Sequence, residues 1–337
     1  MPLLSVLDQS PIRSGGTAAD AIQETLELAR VCERLGYHRY WVAEHHATPG
    51  LAGSSPEVLI GQIAARTTRL RVGAGGVMLQ HYSPLKVAEN FRLLETLFPG
   101  RIDLGIGRAP GSDPLTAEAL ADRGEGPVQA SPAAFPRQVA DLLGFLSGSL
   151  PPDHRYARVP AMPSGPGEPE VWLLGSSDQT AALAAVFGRA FSFAHFINDE
   201  GGAEATRAYL RDFRPSARLA APRASAAVFV VCADTEAEAQ RLAKSRDLFV
   251  VRLYTGRAGR YPSVEEAEAH PYTPREDAIV RHARRRTLAG APEQVRDGLA
   301  RLAAAYGVDE LVIVTITHDP KARLRSYELL AQVFGIG

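Results

Sequence analysis

The sequence predicts an α/β fold, a (β/α)8 TIM barrel formed by a single domain over residues 1–337. Two observations carry this prediction: short apolar segments rich in strand-forming residues, and amphipathic segments of helical periodicity between them. Most of the apolar segments are continuous rather than alternating, as expected for parallel strands covered on both faces. The eight predicted strands span residues 3–8, 39–43, 70–76, 102–106, 171–174, 190–194, 227–232 and 310–315.

The helices are predicted from apolar stripes and from residues that favour helix ends. In residues 18–35, Ala21, Leu28 and Cys32 belong to one apolar stripe, and Gly36 follows as a left-handed cap. Ser55-Pro56 and Ser83-Pro84 are typical helix starts. The other predicted helices span residues 57–66, 85–97, 179–187, 236–249, 293–306 and 320–334. Eight strands alternating with helices favour a closed barrel.

Two connections are longer than the others and predict insertions after the fourth and the seventh strands. Residues 109–135 are rich in Gly, Pro, Asp and Ser, and residues 256–286 mix Gly, Pro and charge. Long structureless loops in a compact domain are usually functional lids or disordered segments. Both loops are predicted on the face where the strands end, so they point to a site there.

Composition and charge argue against several classes of protein. The formal net charge is −1, and the basic cluster 281–286 is interpreted as a solvated helix face or loop rather than a nucleic-acid site. No apolar run reaches membrane-spanning length, and the start lacks the basic region of a signal peptide, so we expect a cytoplasmic protein without a membrane partner. Cys32 and Cys232 are interpreted as small core residues, and no metal site is expected.

Three titratable side chains, Glu44, His45 and His46, follow the second predicted strand. The catalytic residues of α/β barrels lie where the strands end, so this cluster is a candidate site. A pair of adjacent histidines could equally be solvated in a loop.

Motifs spread along the chain resemble one enzyme family. The segment 40–46 is followed by the motifs in residues 52–60, 71–79, 81–89 and 98–111. Together they resemble the bacterial luciferase-like flavin monooxygenases, closest to a non-luminescent, single-component subset that includes polyketide-tailoring oxygenases. The resemblance covers nearly the full length and is strongest over residues 1–113. It implies a barrel that binds FMN at the carboxyl ends of the strands and a homodimer formed through the second and third helices, here residues 57–66 and 85–97.

The resemblance also implies a phosphate site. Gly175, Ser176, Ser177 and Thr180 lie at a strand-to-helix junction, where backbone amides and hydroxyls can hold a phosphate. The same residues could simply cap the helix. By resemblance, Ser177 and Thr180 supply the hydroxyls.

Two arginines would supply positive charge to this site. By resemblance these are Arg108 and Arg137, whose planar guanidinium suits phosphate oxygens. Each could instead form a surface ion pair.

The resemblance places the flavin ring at Ala74, Gly75 and Gly76, over a cis peptide bond between residues 75 and 76. Glycines weaken a strand unless something approaches its backbone closely. Gly107 stands where bacterial luciferase has a reactive cysteine. It leaves room near the flavin that would suit a larger, polycyclic substrate.

His45 matches the family's catalytic histidine, with Glu44 orienting it or contacting the ring. A histidine with a near-neutral pKa can exchange a proton with the C4a-hydroperoxide that reduced FMN forms with dioxygen. Further pocket candidates are His46, His81, Tyr82, Asp113 and His195.

The implied activity is an FMN-dependent monooxygenase that hydroxylates, epoxidises or inserts oxygen into a small organic substrate. Reduced FMN would come from a separate NAD(P)H:flavin reductase, because the glycines at 73–76 and 105–107 lack the spacing of a nicotinamide-binding motif. Two alternatives stay open: a deazaflavin-dependent hydride-transfer oxidoreductase, and a flavin-binding protein without turnover.

Overall fold

The computed structural model describes residues 1–109, 111–122 and 134–337. In these ranges the strands are β1 (Leu3–Asp8), β2 (Arg39–Val42), β3 (Arg71–Met78), β4 (Ile102–Gly107), β5 (Glu170–Gly175), β6 (Ala190–Ala194), β7 (Ala224–Cys232), β8 (Thr287–Gly290) and β9 (Glu310–Val314). β1 to β7 pair in parallel in chain order, β7 pairs with β9, and β9 returns to β1. These eight strands close a parallel barrel, which confirms the predicted fold class.

Helices cover the outside of the barrel. In the part of the chain that the structure describes they are α1 (Ala18–Arg34), α2 (Pro56–Ala64), α3 (Pro84–Leu97), α4 (Pro114–Ala121), α5 (Phe135–Ser147), α6 (Asp178–Phe187), α7 (Gly202–Asp212), α8 (Glu236–Tyr254), α9 (Val264–Ala269), α10 (Pro274–Arg284), α11 (Pro292–Tyr306) and α12 (Pro320–Phe334). Gly36 follows α1 with φ of +80°, as predicted. None of these helices is long and apolar enough to cross a membrane.

β8 and the start of β7 differ from the sequence prediction. β7 begins at Ala224, three residues before the predicted start, and β8 was not predicted. β8 pairs with the second half of β7, beyond the residues that pair with β6. Its sequence, Thr-Leu-Ala-Gly, is short and half of it is poor in strand propensity, so the pattern carries little signal.

The long connections also differ from the expected structureless loops. Residues 256–286 follow α8 rather than a strand end, and they contain α9 and α10. The first long connection contains α4, and its residues 123–133 lie outside the described ranges.

The strands are buried on both faces. Tyr40 and Val42 pack in the layer between the strands and the outer helices, whereas Trp41 faces the barrel interior, where its ring meets Trp172 edge-on at 5.3 Å. This double burial explains the continuous apolar runs. Cys32 and Cys232 are both buried and free, which confirms their interpretation as core residues.

A buried ionic cluster fills the amino-terminal end of the barrel. Arg39 Nη1 lies 2.7 Å from Asp103 Oδ2, and Arg39 Nε lies 2.6 Å from Glu310 Oε1. Trp41 Nε1 donates to the same Asp103 oxygen at 2.9 Å, and the guanidinium lies over the ring of Trp172. This cluster occupies the amino-terminal end of the barrel, and the cavities described next lie at the carboxyl ends of the strands.

Candidate active site

Two neighbouring cavities open at the carboxyl ends of the strands. The first cavity, of about 620 Å³, is lined mainly by residues at the ends of β3, β4, β5 and β6. The second cavity, of about 510 Å³, lies between the loop after β2 and α8. Phe196 and Ile197 line both cavities, so the two spaces adjoin.

Part of the wall of the first cavity is formed by the start of α6. Gly175, Ser176, Ser177 and Thr180 all line it. Ser177 is the N-cap residue of α6, yet its side chain makes no capping hydrogen bond, as is also true of the Ser-Pro starts of α2 and α3. The simple capping alternative is therefore not what the structure shows. The free amides of a helix N-terminus and the adjacent hydroxyls suit a phosphate.

Arg108 lines the same cavity, and its Nη1 donates to Gln179 Oε1 at 2.7 Å. Arg137 is placed differently. Its side chain is 78% exposed on α5 and lies 3.9 Å from Asp141, and it is not part of the cavity lining. Of the two predicted cations, Arg108 alone lies at the cavity wall.

Gly75 and Gly76 also line the first cavity, and the peptide bond between them is cis, as predicted. Ala74 is fully buried in β3 and does not line the cavity. A Cβ at residue 76 would lie 2.8 Å from the carbonyl oxygen of Gly105, and one at residue 75 would lie 2.7 Å from Leu7 Cδ1. Close approach by the Gly105 backbone is therefore enough to require glycine at residue 76, whereas at residue 75 the nearest atom is the end of the Leu7 side chain, which can shift.

Gly107 borders open space, as the sequence comparison with luciferase suggested. A Cβ there would meet only Met78 Sδ, at 3.6 Å, which is an ordinary contact. The first cavity can thus hold an anion near α6 and a flat group against the glycine backbone.

Glu44 is buried and accepts three hydrogen bonds. Its donors are the Tyr82 hydroxyl at 2.6 Å, His46 Nε2 at 2.8 Å and the backbone N–H of Met78 at 2.9 Å. None of these three donors belongs to His45, so the expectation that Glu44 orients His45 is not met. Glu44 instead joins the loop after β2 to the segment after β3.

His45 lies on the wall of the second cavity. Its backbone N–H donates to the carbonyl of Gly53, and its Nδ1 is buried with no hydrogen-bond partner among the described residues. Burial, with a smaller contribution from His46, lowers the pKa of His45 to about 4. A near-neutral pKa was expected, but desolvation disfavours the charged imidazolium, so the ring is neutral at pH 7.

Stability should depend on pH through His45. Its folded pKa of about 4 lies below the ordinary 6.5, so the unfolded chain binds more protons between these values and stability falls as pH is lowered through that window. We expect the unfolding free energy of the wild type to drop by about 2–3 kcal/mol relative to His45→Gln between pH 7 and pH 4. Urea unfolding of both proteins at each pH measures this difference. A difference that does not change with pH would contradict the assignment.

Some of the remaining candidate pocket residues line a cavity and others do not. His46 and Asp113 line the second cavity, and Asp113 also caps α4 by accepting from Thr116. His81 and Tyr82 line neither cavity. His195 Nδ1 lies 2.9 Å from the hydroxyl of Tyr306, and this ring too lies outside both linings.

Two arginines of the second cavity were missed. Arg246 lies on α8, and Arg286 ends the basic cluster that was interpreted as solvated. That interpretation is wrong for Arg286, which is 5% exposed because β8 begins directly after it and packs on β7. If β8 had been recognised in the sequence, the burial of Arg286 could have been predicted from its position just before that strand.

The comparisons with known proteins agree with one another. The sequence profile of luciferase-like monooxygenases matches residues 3–310. An N-acetyl-S-alkylcysteine monooxygenase from Bacillus subtilis is 41% identical over 330 residues, which cover 97% of each chain. A luciferase-like monooxygenase from Escherichia coli is 40% identical over 329 residues, 98% of this chain and 96% of its own. The crystal structure of apo-MsnO8 superposes with a TM-score of 0.90 at 40% identity, covering 100% of this chain and 99% of that one. The chain therefore belongs to the luciferase-like monooxygenase family.

Proposed function

We propose that this protein is an FMN-dependent monooxygenase that binds FMN in the first cavity and its organic substrate in the second. One observation carries the proposal: the start of α6, where Ser177 makes no capping hydrogen bond, and the Gly75-Gly76 backbone line the same cavity. The size and the donor groups of this cavity fit a flat ring that bears a phosphate. Bound reduced FMN would supply the activation of dioxygen.

The residues around the ring site then have separate tasks. The wall that the two cavities share, formed by Phe196 and Ile197, is apolar and limits water near the ring. His45 presents a neutral imidazole that can donate or accept a hydrogen bond at the boundary with the substrate. Glu44 fixes the position of the adjacent backbone through Tyr82 and Met78.

Phosphate recognition can be tested by flavin titration. We expect Ser177→Ala and Arg108→Gln each to weaken reduced FMN binding by about tenfold, because each removes a hydrogen bond or charge that acts on a dianion. Riboflavin lacks the phosphate, so its affinity should be the same in wild type and variants. Anaerobic titration followed by tryptophan fluorescence measures both ligands, because Trp41 lines the first cavity.

Arg137→Gln is the matched comparison in this titration. A weakening of FMN binding in this variant would show that the exposed arginine reaches the phosphate, as the family resemblance implies. If Ser177→Ala and Arg108→Gln weaken the binding of riboflavin and of FMN equally, Ser177 and Arg108 do not recognise the phosphate.

The reaction itself is tested by supplying reduced FMN from a separate flavin reductase with NADH. The relative named N-acetyl-S-alkylcysteine monooxygenase makes N-acetyl-S-alkylcysteines the first substrates to try. Product that carries one atom of ¹⁸O from labelled dioxygen supports the proposal. Turnover of a deazaflavin cofactor without oxygen uptake would replace it with hydride transfer.

We also propose a homodimer through α2 and α3. Val58, Leu93 and Leu97 on these helices are 63%, 52% and 60% exposed, so the two helices together present three large aliphatic side chains that a partner could cover. The double variant Leu93→Asp/Leu97→Asp is expected to be a monomer in sedimentation velocity, because dimerisation would bury the two introduced carboxylates at the interface. Val186→Asp is the control on α6, where the side chain is 53% exposed. A wild-type monomer would disprove the dimer.

A further inference from the structure

Two arginines on the wall of the second cavity are almost fully buried. Arg246 and Arg286 are 4% and 5% exposed, and both line this cavity. Buried arginines are normally paired with an acid, because an uncompensated charge away from water is costly.

The contacts of these two side chains leave donors unused. Arg246 Nη1 donates to Thr287 Oγ1 at 2.9 Å, and its guanidinium lies 3.9 Å from the centre of the Phe229 ring. Arg286 Nη1 donates to the carbonyl of Ile197. Each arginine retains a buried Nε that has no hydrogen-bond partner in the described ranges. Within those ranges neither of them forms an ion pair with a carboxylate.

The acids near these arginines are bound to other groups. Asp247, next to Arg246 in sequence, pairs with Arg284 at 2.7 Å. Asp199 pairs with Arg285 at 2.8 Å. Asp113 lines the second cavity but accepts the amide and hydroxyl of Thr116. The wall formed by Arg246 and Arg286 therefore keeps a positive charge.

One part of the wall of the second cavity is aromatic. Phe249 and Tyr261 stack at 4.0 Å between ring centres, and Phe196 and Phe229 meet edge-on at 5.9 Å. The cavity thus combines two cations with a wall suited to an apolar body. The phosphate of FMN has its own place at the start of α6 in the first cavity, so it does not account for these cations.

We propose that the second cavity binds an anionic organic substrate, with a carboxylate or similar group held by Arg246 and Arg286 and an apolar part against the aromatic wall. This inference deepens the proposed function and rests on it. The anionic group fixes the substrate at the arginine side of the cavity, and the apolar part extends along the wall that also carries His45. The chain would therefore discriminate an acid from a neutral compound of the same shape.

Isosteric pairs of acid and primary amide test this directly. The probes are hexanoate and hexanamide, 3-phenylpropanoate and its amide, and N-acetyl-S-benzylcysteine and its amide. We expect at least one acid to bind the full-length protein about tenfold more tightly than its amide by calorimetry. Arg246→Met and Arg286→Met should remove this preference while the amide binds as before.

Arg92→Met is the matched control. Arg92 is also buried, but it donates to the carbonyl oxygens of Leu146, Pro163 and Gly165, outside both cavities. It should keep the preference for the acid, so a general effect of losing a buried arginine is separated from loss of the site. If either Arg246→Met or Arg286→Met does not fold, the other variant still tests the inference, together with the binding of each acid and its amide to the wild type.

Three outcomes would overturn the inference: equal binding of acid and amide, no binding by any probe, or a preference that survives in both Arg246→Met and Arg286→Met. FMN titration of the same proteins separates this inference from the proposed function. FMN binding without acid preference removes the inference alone. Acid preference without FMN binding removes the proposed function and leaves an anion site.

Discussion

Arg39→Met is expected to destabilise the protein by about 3–5 kcal/mol, because it leaves the buried carboxylate of Glu310 without its cation and removes one of the two cations paired with Asp103. The side chains of Arg39, Asp103 and Glu310 are 1%, 0% and 5% exposed, so water cannot replace the lost ion pairs. Methionine keeps most of the volume, so the cost arises mainly from Glu310, which loses its cation, and from Asp103, which keeps only Arg71. Urea unfolding followed by far-ultraviolet circular dichroism measures the difference.

Arg325→Met is the control for this measurement. Its ion pair with Asp234 is as short, at 2.6 Å, but its side chain is 43% exposed. A surface pair of this kind contributes about 0–1 kcal/mol, so the control should stay close to the wild type. If Arg39→Met unfolds at the same urea concentration as Arg325→Met, the prediction is wrong. The barrel interior would then relax around Asp103 and Glu310.

The contrast between these arginines shows why the fold was predictable while its ionic core was not. The barrel follows from local patterns, since parallel strands buried on both faces have apolar residues at successive positions. The partners of Arg39 come from residues 103 and 310, and no local pattern joins positions so far apart. β8 was missed because four residues of weak propensity give no signal without their partner β7.

The candidate site was predictable in position and less so in its contacts. A strand followed by Glu44, His45 and His46 indicates the face of the barrel on which these residues lie. Residues two apart in an extended segment point to the same side, which is a signal that Glu44 would meet His46 rather than His45. The low pKa of His45 depends on burial by later parts of the chain, so it could not be predicted from the neighbouring residues.

Under the proposed function, His45→Gln is expected to lower the rate of oxygenation by about 100- to 10,000-fold, the range typical for loss of a positioned proton donor or acceptor. FMN affinity should change little, because His45 lines the second cavity and not the first. The measurement is product formation with reduced FMN in excess, together with an anaerobic FMN titration of the same variant. His46→Gln is the control, since that ring already bonds to Glu44 and a smaller loss is expected.

The pH profile distinguishes a chemical role for His45 from a structural one. With a pKa of about 4 the ring stays neutral from pH 6 to pH 9, so kcat/KM should show no titration near the ordinary histidine value of 6.5 in this range. A neutral ring that donates a hydrogen bond gives a flat profile and a large loss in His45→Gln. A limb near pH 6.5 that disappears in His45→Gln would mean that His45 has an ordinary histidine pKa before the substrate binds, and proton transfer by the imidazolium would then replace hydrogen bonding as its role. A variant with the wild-type rate at every pH would remove His45 from the reaction, because hydrogen bonding and proton transfer by the ring both require a loss.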